Sequence, residues 1–260
     1  MRMIHPAAWV GLFLNVVLAF MFFSALEALD LAALDLTQQE AWGDLKTFIL
    51  EAIRPLYLAL LLLQAAALFL IVFRLPFALA LAMISGLLTM PVGAVYLLGC
   101  MLTHYRMKYA AFDAAPEGYA RASHIFPAVV VKKVQLVAGA SFTAFTVLIL
   151  MNNLNVAATF FVLAAISLYC ILRAGKHHAL ALYDDGLTVT PSLLSPTLLL
   201  SYSSITLATL HDNNTIQFEV NTPGGPRSLV WSLLTIAPEQ RIEAIEELGA
   251  ALDARGVPLQ

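Results

Sequence analysis

The chain has 260 residues, 60% of them apolar and 12% charged, with a mean hydropathy of +0.82 and a formal net charge of −3. A soluble globular chain is nearer about 45–50% apolar and about 25% charged, so the composition is that of a membrane protein. Residues 176–260 carry four Lys/Arg against nine Asp/Glu, an acidic balance that disfavours nucleic acid as a partner and docking of that part on anionic lipid.

Taken in chain order, five segments have the roughly 20 mostly apolar residues that a helix needs to cross the hydrocarbon core. They are 7–26, 55–73, 76–103, 134–151 and 154–172. The first is too long for a signal-peptide h-region and lacks a small-residue cleavage site, so it reads as retained. Arg74-Leu75 before Pro76 makes a tight hairpin of the second and third, and Pro91 predicts a kink in the third. Three Asn within 152–155 mark the turn between the last two. The expected fold class is a polytopic α-helical membrane domain of about five spans over 1–175, followed by a small antiparallel β-barrel or sandwich with one C-terminal helix over 176–260. In a four-span alternative, 134–172 is a re-entrant hairpin.

With the N-terminus outside, five spans place nine Lys/Arg on the cytoplasmic side and two, Arg2 and Arg74, outside. By the positive-inside rule the expected location is therefore a bacterial inner membrane, multi-pass, with the C-terminus cytoplasmic. Residues 27–54 mix Trp42 and aliphatics with six acids, a pattern that predicts a helix lying at the interface. Loop 104–133 carries Arg106, Lys108, Arg121, Lys132 and Lys133 among five aromatics. These bases either touch anionic headgroups or serve as topology determinants, and the second reading is the more economical.

Within the apolar segments the strongest polar residues are Asn15 and Gln64. Interhelical hydrogen bonding explains them better than a pathway does, although the sequence names no partner for either. Cys100 and His104 share a helix face, and Cys170, His177 and His178 lie at a similar expected depth. Two Cys and two His could hold zinc or a soft metal, but Cys is also an ordinary apolar filler, and no cofactor is expected. Gly86, Gly93 and Gly99 allow close helix approach. No zinc-protease, nucleophile-elbow, phosphate-loop or Cys-x-x-Cys pattern is present, so no catalytic residue is assigned.

From His178 the apolar period changes to two. Six strands are expected: 179–183, 187–190, 198–200, 207–210, 215–220 and 228–231. The turns between them include Asp184-Asp185-Gly186 and Pro223-Gly224-Gly225-Pro226. A final helix starts near Pro238 and stops at Gly256, with Ile242, Ile245, Leu248 and Leu252 as its apolar stripe.

The runs LYDDGLTV (182–189), LSYSSI (200–205) and DNNTIQFEV (212–220), with that last helix, make residues 179–255 resemble the bacterial pleckstrin-homology-like domain of small membrane proteins. That fold has seven strands, one more than the six counted. The resemblance implies a non-enzymatic module for protein contact or self-association. Asp184-Asp185 stand in the hairpin where eukaryotic relatives use bases, so inositide binding is not implied. The expected function is a non-catalytic inner-membrane protein whose soluble domain binds or regulates a partner. The alternative is a small channel or transporter gated by that domain, with hydroxyls such as Ser85, Thr89, Ser141 and Thr146 along its path.

Overall fold

The first apolar run forms helix α1 (Pro6–Glu27), with Pro6 at its first position and the His5 Nδ1 accepting from the Ala7 N–H at 3.2 Å. A computed structural model describes residues 4–29, 36–89, 93–115, 122–128, 130–151, 154–174, 178–192, 194–212 and 214–260. The chain divides into two units, Met1–His104 and Tyr105–Gln260.

In the first unit, α1 is apolar on every face, and only 22% of its apolar window is buried. Its 22 residues reach about 33 Å, the thickness of a hydrocarbon core at about 30 Å. Helix α2 (Leu36–Phe48) runs through a π-helical turn, Ile49–Ile53, into α3 (Arg54–Val72). Gln39–Val72 forms one apolar helix of 34 residues, 28% of whose most apolar stretch is buried. The interfacial helix expected over 27–54 is therefore continuous with the apolar helix that follows it. Lys46 Nζ donates to the main-chain oxygens of Glu27 and Leu29, both at 3.0 Å, and Arg54 pairs with Glu27. Both cations thus sit at the negative end of the α1 dipole.

About five spans is corrected here. Among the described residues, Pro6–Glu27 and Gln39–Val72 are the helices long and apolar enough to cross a membrane. The run 76–103 is broken into α4 (Ala78–Leu88, 11 residues) and α5 (Gly93–Lys108, 16 residues), about 16 and 24 Å long; Pro91 lies outside the described residues. Helices α6 (Val130–Leu150) and α7 (Leu154–Ala174) pack antiparallel. Their described apolar stretches are the shorter Gln135–Ile149 and Leu163–Leu172. Counting apolar letters measures the length of a run. Within 76–103 it does not register that a helix stops at Leu88, and the nine-to-two tally depended on that count.

The second unit holds two antiparallel sheets. One is ordered β1-β5-β4-β3-β2 and the other β6-β7-β8. The six strands expected after His178 are β3 (His178–Leu182), β4 (Gly186–Val189), β5 (Leu198–Ser201), β6 (Ile205–His211), β7 (Thr215–Thr222) and β8 (Gly225–Ser232). The remaining two, β1 (Asp113–Ala114) and β2 (His124–Pro127), come from the loop read as a basic, aromatic connector. Strand β2 lies against β3 in the register Ile125↔Ala181, Phe126↔Leu180 and Pro127↔His178. The α6–α7 hairpin is thus an insertion between two neighbouring strands of one sheet.

One apolar core joins both sheets, with Phe126, Leu180, Phe218 and Trp231 all at most 3% exposed. Helix α8 (Arg241–Asp253) contributes Ala244, Leu248 and Leu252 to it, whereas Ile242 is 70% exposed. The expected stripe is rotated on that point: a small residue, Ala244, takes the place assigned to Ile242. Beyond Gly256 (φ +73) the chain turns back. Gln260 N–H donates to Ala208 O at 2.9 Å and Leu210 N–H to Gln260 O at 2.7 Å. The last residues therefore cover the β6 edge, which would otherwise offer unpaired main-chain groups.

Candidate functional site

Two clusters of polar side chains stand out, one in each unit. In the helical unit, Asn15 Nδ2 on α1 donates to Gln64 Oε1 on α3 at 3.0 Å. Gln64 Nε2 donates in turn to Thr89 Oγ1 at 2.7 Å and to Ser85 O at 3.2 Å, and Tyr96 OH on α5 donates to Gln64 O at 2.7 Å. All five residues are at most 3% exposed. The two residues singled out in the sequence are each other's partners, and through Gln64 they tie α1, α3, α4 and α5 together. Between apolar helices such bonds supply specificity where hydrophobic driving force is weak. Gln64→Leu is expected to destabilise the helical unit by about 1–3 kcal/mol, because the Asn15 and Thr89 groups stay buried without it. Adding Asn15→Leu should recover part of that loss, read as the midpoint of detergent-titrated unfolding.

The second cluster lines a cleft of about 260 Å3 in the sheet unit. Helix α8 supplies Glu247 and Ala251, the turn two residues past its end Arg255, the β3–β4 turn Asp184, β2 His124, and the turn after β5 Tyr202. The Arg255 guanidinium carbon is 4.2 Å from the Tyr202 ring centroid. Its Nη1 donates to Ala251 O at 3.1 Å and its Nη2 to Asp184 O. His124 Nε2 stands 3.4 Å from Glu247 Oε2, joining β2 to α8. Burial raises the Tyr202 phenol above its ordinary pKa, with Arg255 opposing and Asp184 and Asp185 reinforcing the shift. Its hydroxyl is therefore neutral at physiological pH, and it is buried with no hydrogen-bond partner among the described residues.

The candidates named from the sequence are spread over both units. Arg106 and Lys108 are exposed at the end of α5, with Lys108 Nζ 5.4 Å from the Tyr109 ring centroid. Lys132 and Lys133 fall in the first turn of α6, and Arg121 lies outside the described residues. Cys100 is fully buried in the helical unit and Cys170 is 8% exposed on α7. His104 ends the helical unit, and His177 is outside the described residues. Among the described residues no three or more His, Cys, Asp or Glu group in a way that could hold a metal.

The sequence reading missed His124, Tyr202, Glu247 and Arg255. His124 reaches the others only because β2 enters the sheet from beyond the hairpin, and no local pattern signals that.

Comparison with protein-family models, with curated proteins and with solved structures finds no match to this chain.

Proposed function

We propose that this is a non-catalytic, membrane-anchored binding protein. Helices α1 and α3 hold it in a bacterial cytoplasmic membrane, and its sheet unit engages a protein partner or a second copy. The observation that carries the reading is the pairing of two long, apolar, little-buried helices with a sheet unit that seals its own core. Phe13, Phe20, Met21 and Leu62 are exposed on those helices, and lipid is the solvent that suits them. Two sheets closed by a C-terminal helix support the pleckstrin-homology-like reading.

The test has two parts on the full chain in native membranes. Alkaline carbonate is expected to leave it in the membrane pellet, and release into the supernatant would overturn the anchor. A photo-crosslinking residue at exposed Val230 or Ile242 is expected to give one defined protein adduct, identified by mass spectrometry as a partner or a second copy. Adducts to lipid alone would overturn the binding role.

A further inference from the structure

The cleft beside α8 has a charge arrangement that the binding reading above leaves unused. Arg255 is fixed by a ring face and two main-chain oxygens, yet among the described residues no carboxylate lies within ion-pair distance of it. A guanidinium has five N–H donors, so the two bonds to main-chain oxygens leave donors for a ligand, and their fork suits a carboxylate. Across the cleft, Glu247 is 40% exposed at its side chain and meets His124 at 3.4 Å, which leaves acceptor capacity on the carboxylate. The wall between them is apolar, formed by Leu182, Ala250, Ala251 and the Tyr202 ring.

Charge and size narrow the ligand. Glu247 and Asp184 beside a single Arg255 repel a plain anion, phosphate included, and Arg255 repels a plain cation. A volume of about 260 Å3 falls below the roughly 300–1,000 Å3 of drug-sized pockets. Glu247 lies one helical turn before Ala251, whose main-chain oxygen holds the Arg255 guanidinium, a step of about 6 Å along the helix, so the two charges of the ligand must be separated. We propose that this cleft binds a short linear ω-amino acid, its carboxylate on Arg255, its ammonium on Glu247 and its methylenes against the apolar wall.

The experiment is calorimetric titration of the full chain in lipid nanodiscs with 4-aminobutyrate and 6-aminohexanoate, beside butyrate and butylamine. Saturable binding of a zwitterion is expected, with each singly charged analogue at least about tenfold weaker. Arg255→Gln should abolish binding while Arg255→Lys keeps part of it. Glu247→Gln should let butyrate bind as well as 4-aminobutyrate, a change of selectivity that a loss of folding would not produce. The proposal is overturned if no zwitterion binds, if butyrate matches it on the unaltered chain, or if Arg255→Gln leaves affinity unchanged.

Discussion

A fragment that begins at Lys176 is expected not to fold on its own, although it contains six of the eight strands and the closing helix. It lacks β2, whose neighbour Ser123 donates its N–H to Leu182 O at 2.8 Å, and β1, followed by Ala115 N–H donating to Thr197 O at 2.9 Å. It also lacks Phe126 and Tyr109, 3% and 7% exposed in the shared core. Removing a buried aromatic side chain costs about 3–5 kcal/mol, and two of them rival the roughly 5–15 kcal/mol that holds a whole domain folded. The fragment should therefore give poorly dispersed amide spectra and a broad thermal transition. Residues 105–128 joined to 178–260 by a short Gly-containing turn should restore both, because Pro127 and His178 already face each other across the sheet. A sharp transition for the fragment from Lys176 alone would show that β1 and β2 are accessory.

Substituting Gly99 or Gly11 by Leu is expected to be the most damaging single change in the helical unit. A Cβ at Gly99 would fall on the Ala8 main chain, and one at Gly11 on the Tyr96 main chain. These obstacles are backbone, which cannot rotate aside, so α1 and α5 must separate. Overpacking usually costs about 1–3 kcal/mol, and the upper end or beyond is expected. Separation would also strain the bond from His5 N–H to Thr103 Oγ1, 2.9 Å long, and the Asn15–Gln64 pair. Gly139→Leu is the control, since nothing lies within 4 Å of a Cβ there. Thermal unfolding in detergent should show a large downward shift for Gly99→Leu and Gly11→Leu and almost none for Gly139→Leu.

The strands after His178 were legible from a period of two, cleanest over 215–220, and from turn signals with a mechanism. Gly186 is one such signal: a Cβ there would come within 2.5 Å of Leu200 O, so the hairpin needs glycine. The other two strands were not legible. His124-Ile125-Phe126-Pro127 is short, ends in proline and sits among bases, and Asp113-Ala114 is a two-residue bridge whose identity depends on β5. Gly11, which lets α1 approach the α5 main chain at Tyr96, carries no signal in the sequence because its partner is 85 positions away, counting from Gly11 to Tyr96. Asn15 and Gln64 stood out as polar letters in apolar runs, and only packing could pair them. The span count erred for a related reason: apolar composition runs through 76–103, while the helix does not.

Amide hydrogen exchange on the full chain in nanodiscs tests the central claim, a sheet unit assembled from both sides of the α6–α7 hairpin. The account requires that Ala115, Ser123 and the amides of β2 exchange as slowly as those of β3 and β4. Exchange at those positions as fast as in an unstructured loop, with β3 and β4 still protected, would contradict it.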